Sequence, residues 1–186
     1  MKSKLNVIFM GSGLYGSSVL NSLDLSKIDI LYVFTKYSKV KSRNLREENF
    51  SNIEMGHLTR VSRFSEDTIS LIRKANPDLI IVASFGLLLP ESILNIPKFG
   101  VINVHPSLLP KYRGPSPIVS SIIDGIPFTG VTIMKMVKEL DAGPIIEQKK
   151  ITLDSNINSN ELGVKLFRIG AEILNRLFDK IIQNQH

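Results

Sequence analysis

Leu5-Asn-Val-Ile-Phe-Met-Gly-Ser-Gly-Leu-Tyr-Gly16 sets a short apolar run directly against a Gly-Ser-Gly turn, and a helical pattern follows. The reading is a strand over Asn6–Met10, a glycine turn, and a helix over Leu14–Leu23. Such a unit starts a parallel sheet with crossover helices, because a strand buried on both faces reads as continuous Val, Ile and Leu rather than as an alternation. The pattern repeats outward. Ile28–Phe34, Leu58–Val61, Leu79–Ser84, Phe99–Val104, Thr129–Met136 and Ile145–Leu153 read as further strands. Glu66–Ala75, Glu91–Leu94 and Pro117–Asp124 read as helices, the first ended by Pro77 and the last opened by its proline. Leu162, Leu166, Ile169, Ile173, Leu177 and Ile181 recur at spacings of three and four, which makes an amphipathic C-terminal helix, with Asn158 and Glu161 as a capping pair. The chain is therefore expected to be α/β and to form one domain over residues 1–186.

Gly11-Ser-Gly13-Leu-Tyr-Gly16 fits G-x-G-x-x-G, which a dinucleotide enzyme uses beneath its pyrophosphate. Such an enzyme also needs an acidic residue after the second strand, and here Thr35-Lys36 follows Phe34. Three readings stay open: a phosphorylated dinucleotide met by Lys36 or Lys39, another phosphate at the helix start, or a tight turn with no ligand.

Composition narrows the classes. The chain has 186 residues, 43% hydrophobic and 22% charged, which fits a folded domain rather than a disordered or fibrous one. There is no cysteine, so disulfides and thiolate metal sites are excluded, and His57, His105 and His186 are scattered, so no metal is expected. The run after Lys4 lacks a cleavage pattern, and no stretch approaches the roughly 20 apolar residues of a membrane span. A cytoplasmic protein with no membrane partner is expected. Lys and Arg outnumber Asp and Glu by 23 to 17, for a net charge of +6. That balance favours a phosphorylated partner, and residues 36–52, with Lys36, Lys39, Lys41, Arg43 and Arg46, read as a basic loop.

The chemistry concentrates in Asn103-Val-His-Pro-Ser-Leu-Leu-Pro-Lys-Tyr-Arg-Gly114. At the end of a strand Asn103 and His105 share a face, and a reacting carbonyl fits between them. An amine attacking that carbonyl creates an anionic oxygen and must lose a proton; an Asn amide can donate to the first and an imidazole can carry the second. Asp141 is the candidate carboxylate to orient the ring. Each also has a structural reading: Asn103 bonded to loop backbone, His105 satisfied at a strand end, Asp141 capping the turn before Gly143. Phe85-Gly86-Leu87-Leu88-Leu89-Pro90 is either packing beneath the short helix or an apolar wall for a flat ligand.

Taken together, Asn103 to Ile118, Thr129-Gly-Val-Thr-Ile-Met-Lys-Met136, Leu140-Asp-Ala-Gly143 and Ser84-Phe-Gly-Leu-Leu-Leu-Pro90 resemble the methionyl-tRNA formyltransferase family over nearly the whole chain. The resemblance implies a Rossmann-like formyltransferase domain with a mostly parallel central sheet, using 10-formyltetrahydrofolate as donor and initiator methionyl-tRNA as acceptor. It carries the catalytic roles to Asn103, His105 and Asp141. It implies that Phe85, Gly86, Leu87, Leu88 and Leu89, with Ser107, Leu108, Leu109 and Pro110, line the folate pocket. Lys36, Lys39, Lys41, Arg43 and Arg113 would meet the tRNA. The family's second, barrel-like C-terminal domain is not expected within these residues, and Val137 stands where the family pattern has an acidic residue. Glu139 to Ile146 is similar to the same run in glycinamide ribonucleotide formyltransferase. A small phosphorylated amine, either that ribonucleotide or an amino sugar nucleotide, is thus an alternative acceptor, and a non-catalytic folate-binding remnant is the alternative outside enzymes.

Overall fold

The computed structural model describes residues 4–37, 57–154 and 156–183. Its elements are β1 (Leu5–Gly11), α1 (Gly13–Leu20), β2 (Ile28–Lys36), β3 (His57–Val61), α2 (Glu66–Ala75), β4 (Leu79–Ala83), α3 (Glu91–Leu94), β5 (Val101–His105), α4 (Pro117–Ile123), β6 (Phe128–Lys135), β7 (Ile145–Thr152) and α5 (Ser159–Gln183). The strands form one seven-stranded sheet in the order β3-β2-β1-β4-β5-β6-β7. β1 to β5 run parallel, while β6 pairs antiparallel with β5 and β7 antiparallel with β6.

Period-two alternation divides the core. Leu5, Val7 and Phe9 of β1, with Ile102 and Val104 of β5, face α1 and α5, where Leu166, Phe167, Leu174 and Phe178 are buried. Ile8, Met10, Ile80, Val82 and Val101 face the other way, onto Ile69, Ile72, Ile93 and Phe85. A one-residue slip would exchange the two sets, so the register is firmly specified. α5 approaches β5 closely because residue 170 is glycine: a Cβ there would overlap Val104 Cγ1. Tyr15 of α1 stacks on Phe167 at a centroid distance of 5.2 Å. Glu161 N donates to Asn158 Oδ1 at 3.0 Å, so the expected cap starts α5.

Several boundaries shift from the expectation by one to three residues, and two of the shifts have a local cause. The first helix stops at Leu20 because the chain tightens into shorter bonds, Ser22 N to Val19 O at 2.9 Å and Leu23 N to Leu20 O at 3.3 Å; Leu23 stays buried outside the helix. β5 begins at Val101, not Phe99, because Gly100 takes φ +81° and turns the chain first. His105 in turn belongs to the strand.

The glycine motif is explained by packing. A Cβ on Gly16 would meet Gly11 C at 2.8 Å, and one on Gly11 would meet Ala83 O at 2.8 Å, so these glycines let α1 sit on β1 and β4. Ser12 N donates to Ser84 O at 3.1 Å, and Lys36 N donates to Ser12 Oγ at 2.9 Å. The turn is tied to its neighbours on both sides.

Candidate active site

The carboxyl ends of the parallel strands carry the site, as expected for an open α/β sheet. Val101, Asn103 and His105 alternate onto the α3 side of β5. Asn103 is half-buried, and among the described residues its side-chain amide has no hydrogen-bond partner. A half-buried amide without a protein partner is free to bond water or a ligand.

His105 is 4% exposed and held by a hydrogen bond at one end of its ring. Nε2 lies 2.9 Å from Tyr112 O; a carbonyl only accepts, so Nε2 carries the hydrogen and donates it. Nδ1 then has the free lone pair, and it lies 3.7 Å from Asp141 Oδ2. That distance is too long for a direct hydrogen bond and suits an ion pair once the ring is protonated. Asp141 Oδ2 also accepts from Gly114 N at 2.8 Å. Asp141 adopts φ +48°, a left-handed conformation that Asp tolerates better than most residues. Two distant segments, residues 103–105 and residue 141, thus meet over the 112–114 turn.

The loop after His105 is held by one buried hydroxyl. Thr132 Oγ1 on β6 donates to Ser107 O at 2.6 Å and accepts from Leu109 N at 3.1 Å and from Gln148 Nε2 at 2.8 Å. Gln148 also donates to Leu109 O at 2.9 Å. Ser107 is fully buried and its hydroxyl donates to Lys111 O at 2.7 Å, while Leu109 is buried at 6%. Ser107 and Leu109 therefore build the loop; Leu108 is half-buried and Pro110 is exposed. The Leu109–Pro110 peptide bond is cis.

The leucine segment divides. Phe85 is 2% exposed and sits 6.0 Å from the Phe64 ring, so it is core and not wall. Leu87, Leu88 and Leu89 border a recess of about 370 Å³ with Phe64 and Arg63, and Leu88 is 81% exposed. Phe85 thus packs in the core, while the three leucines border open space. Gly86 O accepts from Lys36 Nζ at 3.1 Å, which joins the end of β2 to this segment. Arg113 is exposed on the turn beside Gly114. Lys39, Lys41 and Arg43 lie outside the described residues.

Sequence reasoning missed a second cleft, of about 500 Å³, between α3 and residues 135–139, lined by Leu94, Asn95, Met136, Val137 and Lys138 among others. Its lining comes from segments some forty positions apart, which no local pattern links. It also missed Thr132 and Gln148, whose only signal is a threonine inside the apolar run Val131–Met134. Among the described residues no group of three or more His, Cys, Asp or Glu could hold a metal ion, and no helix is long and apolar enough to cross a membrane.

The formyl transferase family model matches residues 3–177. The chain is 39% identical over 95% of its length to a methionyl-tRNA formyltransferase from Wolbachia sp. subsp. Drosophila simulans, covering 61% of that protein. It is likewise 39% identical over 96% of its length to the enzyme of that name from Staphylococcus epidermidis, covering 59% of it. The chain thus spans about three fifths of the curated relatives it matches. Among solved structures, glycinamide ribonucleotide transformylase 1 from Symbiobacterium toebii superposes with a TM-score of 0.76 at 17% identity, over 96% of this chain and 87% of that one. Phosphoribosylglycinamide formyltransferase from Anaplasma phagocytophilum gives 0.76 at 22%, over 97% and 88%. Those likenesses establish the Rossmann-like fold, and the family model, matched from the first strand through most of α5, establishes the lineage: this chain belongs to the formyl transferase family.

Proposed function

We propose that this chain transfers a formyl group from 10-formyltetrahydrofolate to the amino group of initiator methionyl-tRNA. The observation that carries the reading is the unpartnered Asn103 amide on the same strand face as His105, whose Nδ1 looks onto Asp141. Asn103 donates to the formyl oxygen as it becomes anionic; losing one such donor typically costs about 2.7–4 kcal/mol of barrier. His105 accepts the amine proton at Nδ1, and Asp141 stabilises the resulting imidazolium. The bond from the formyl carbon to N10 of the donor then breaks, and N10 takes up the proton that His105 carries, so the donor leaves as tetrahydrofolate.

The apolar recess bordered by Leu87, Leu88 and Leu89 supports a flat donor ring, while the second cleft, where Leu94, Met136 and Val137 sit among Glu91, Lys98, Lys138 and Glu139, is mostly polar. The loop from Ser107 to Pro110 shapes the space beside His105. The methionyl-tRNA acceptor rests on the relatives at 39% identity, since structures below a quarter identical speak only to fold. Lys36, Lys39, Lys41, Arg43 and Arg113 supply the positive charge a tRNA acceptor end needs. Phosphate contacts release counterions, so binding through them weakens steeply with salt. The test is kcat/KM for methionyl-tRNA at rising salt, in this chain and with Lys39, Lys41 and Arg43 replaced by alanine. A steep slope that flattens in the variant supports the acceptor; identical slopes, or none, remove tRNA from the reading in favour of a small phosphorylated amine.

A further inference from the structure

The two ionisable members of the site are held by the backbone of a single turn. Tyr112 O accepts from His105 Nε2, and two residues later Gly114 N donates to Asp141 Oδ2. Both turn residues have positive φ, +56° at Tyr112 and +96° at Gly114. Glycine adopts this freely, whereas for a tyrosine it is an unfavourable conformation that surrounding contacts must hold. Ser107 Oγ holds the start of the turn, donating to Lys111 O at 2.7 Å and lying 3.5 Å from Tyr112 O, and at the far end of the side chain Tyr112 Oη donates to Asp124 Oδ2 at 2.7 Å in a solvent-exposed bond. Asp124 caps the carboxyl end of α4, a helix whose Pro117, Ile118 and Ser121 are buried. The hydrogen bond to Asp124, with burial second, holds the Tyr112 hydroxyl above its ordinary range, so it remains a donor near neutral pH.

The two tautomers of a neutral imidazole differ little in free energy, so the partner of one nitrogen decides which atom of the other is offered. Were the turn to relax, Tyr112 O would leave Nε2 and the ring could carry its hydrogen on Nδ1, where it cannot accept a proton. Resting on the reading of His105 and Asp141 as the reacting pair, we propose that Tyr112 is a positioning residue. Its hydroxyl, anchored on Asp124, locks the 112–114 turn so that His105 keeps its hydrogen on Nε2 and offers Nδ1 beside Asp141.

The experiment compares this chain with Y112F, D124A, D124N and the double variant Y112F/D124A. Long-range nitrogen-proton NMR of the imidazole rings, with His105 assigned by loss of its signals in H105Q, reads the tautomer. In parallel, kcat and donor KM are measured for formyl transfer. The Nε2–H form should dominate in the unaltered chain and drift toward an even mixture in Y112F and D124A. kcat should fall by about tenfold with donor KM held within about twofold, the pattern of lost transition-state positioning. D124N, whose amide oxygen still accepts, should retain most of both properties. The double variant should be no worse than either single change, because all three remove one bond. Unchanged tautomer and kcat in Y112F and D124A would overturn the proposal, as would equal loss in D124N. If the unaltered chain transfers no formyl, the functional reading falls by itself, and the tautomer ratio alone still decides the role of Tyr112.

Discussion

Thr132→Val removes one hydroxyl and almost no volume, so its cost comes from the groups left behind. Thr132 is fully buried, as is Ser107, and Leu109 is 6% exposed. Without Oγ1, the Ser107 carbonyl and the Leu109 N–H lose partners at 2.6 and 3.1 Å in a place shielded from solvent. Each orphaned buried group costs about 1–3 kcal/mol, while Gln148, on an exposed edge strand, can turn to solvent. The sum is ~2–6 kcal/mol, a large share of the 5–15 kcal/mol typical of a folded domain. For a chain this long, that lowers Tm by about 4–24 °C. Denaturant titration should give an unchanged slope and a lower midpoint, since the change weakens the native state without altering the surface exposed on unfolding. Thr132→Ser keeps the hydroxyl and loses one methyl, worth about 1 kcal/mol, so it should fall well short of valine. A valine variant within about 0.5 kcal/mol of the unaltered chain, or a serine variant as damaged as valine, would refute the claim that this hydroxyl holds the Pro106–Pro110 loop.

Asn103→Ala should lower kcat by about 100- to 1000-fold with donor affinity nearly intact, measured by steady-state kinetics and direct binding; equal losses in both would make Asn103 a positioning group. Gly170→Ala sets a helix-propensity gain of about 1 kcal/mol against the overlap with Val104, and overpacking typically costs 1–3 kcal/mol, so denaturation should show net loss. Because Val104 adjoins His105, turnover in that variant should fall as well. The Asp24 carboxyl is held below its ordinary range, first by the Ser26 hydroxyl and then by the Ser26 N–H, with Lys27 contributing less. A depressed folded value gives stability that is present above the unfolded carboxyl range and is lost as pH falls through the folded value. Asp24→Asn should therefore flatten the acid limb of a stability-against-pH curve and leave the neutral part of that curve parallel to the original.

Local pattern carried most of the fold. Every strand and helix expected from period and punctuation is present, because runs such as Leu79–Ala83 are buried on both faces and leave no alternative for their side chains. Pro117 and the Asn158–Glu161 pair set helix starts through bonds among neighbouring residues. Where the expectation slipped, at Leu20 and Gly100, the cause was backbone conformation that hydropathy does not report. The candidate site was legible as residue types: Asn103 and His105 share a strand face by parity, and Asp141 lies against His105. The partners that give those residues their chemistry were not legible. Tyr112 O, Gly114 N and Thr132 Oγ1 reach the site through tertiary placement, and two of the three are backbone atoms that any residue would supply. Phe85 illustrates the same limit, since an aromatic residue ahead of an exposed leucine reads alike as wall or as core until Phe64 is seen against it.

The central claim is that Asn103, His105 and Asp141 form a formyl-transfer site whose acceptor is methionyl-tRNA. The most direct measurement supplies 10-formyltetrahydrofolate labelled in the formyl carbon, with initiator methionyl-tRNA, glycinamide ribonucleotide and an amino sugar nucleotide offered separately, and follows where the label goes. Label on the methionyl amino group, lost in Asn103→Ala and absent from the small amines, is the expected result. Label on a small amine instead would move the acceptor, and free formate or unreacted donor with all three would contradict transfer by this chain.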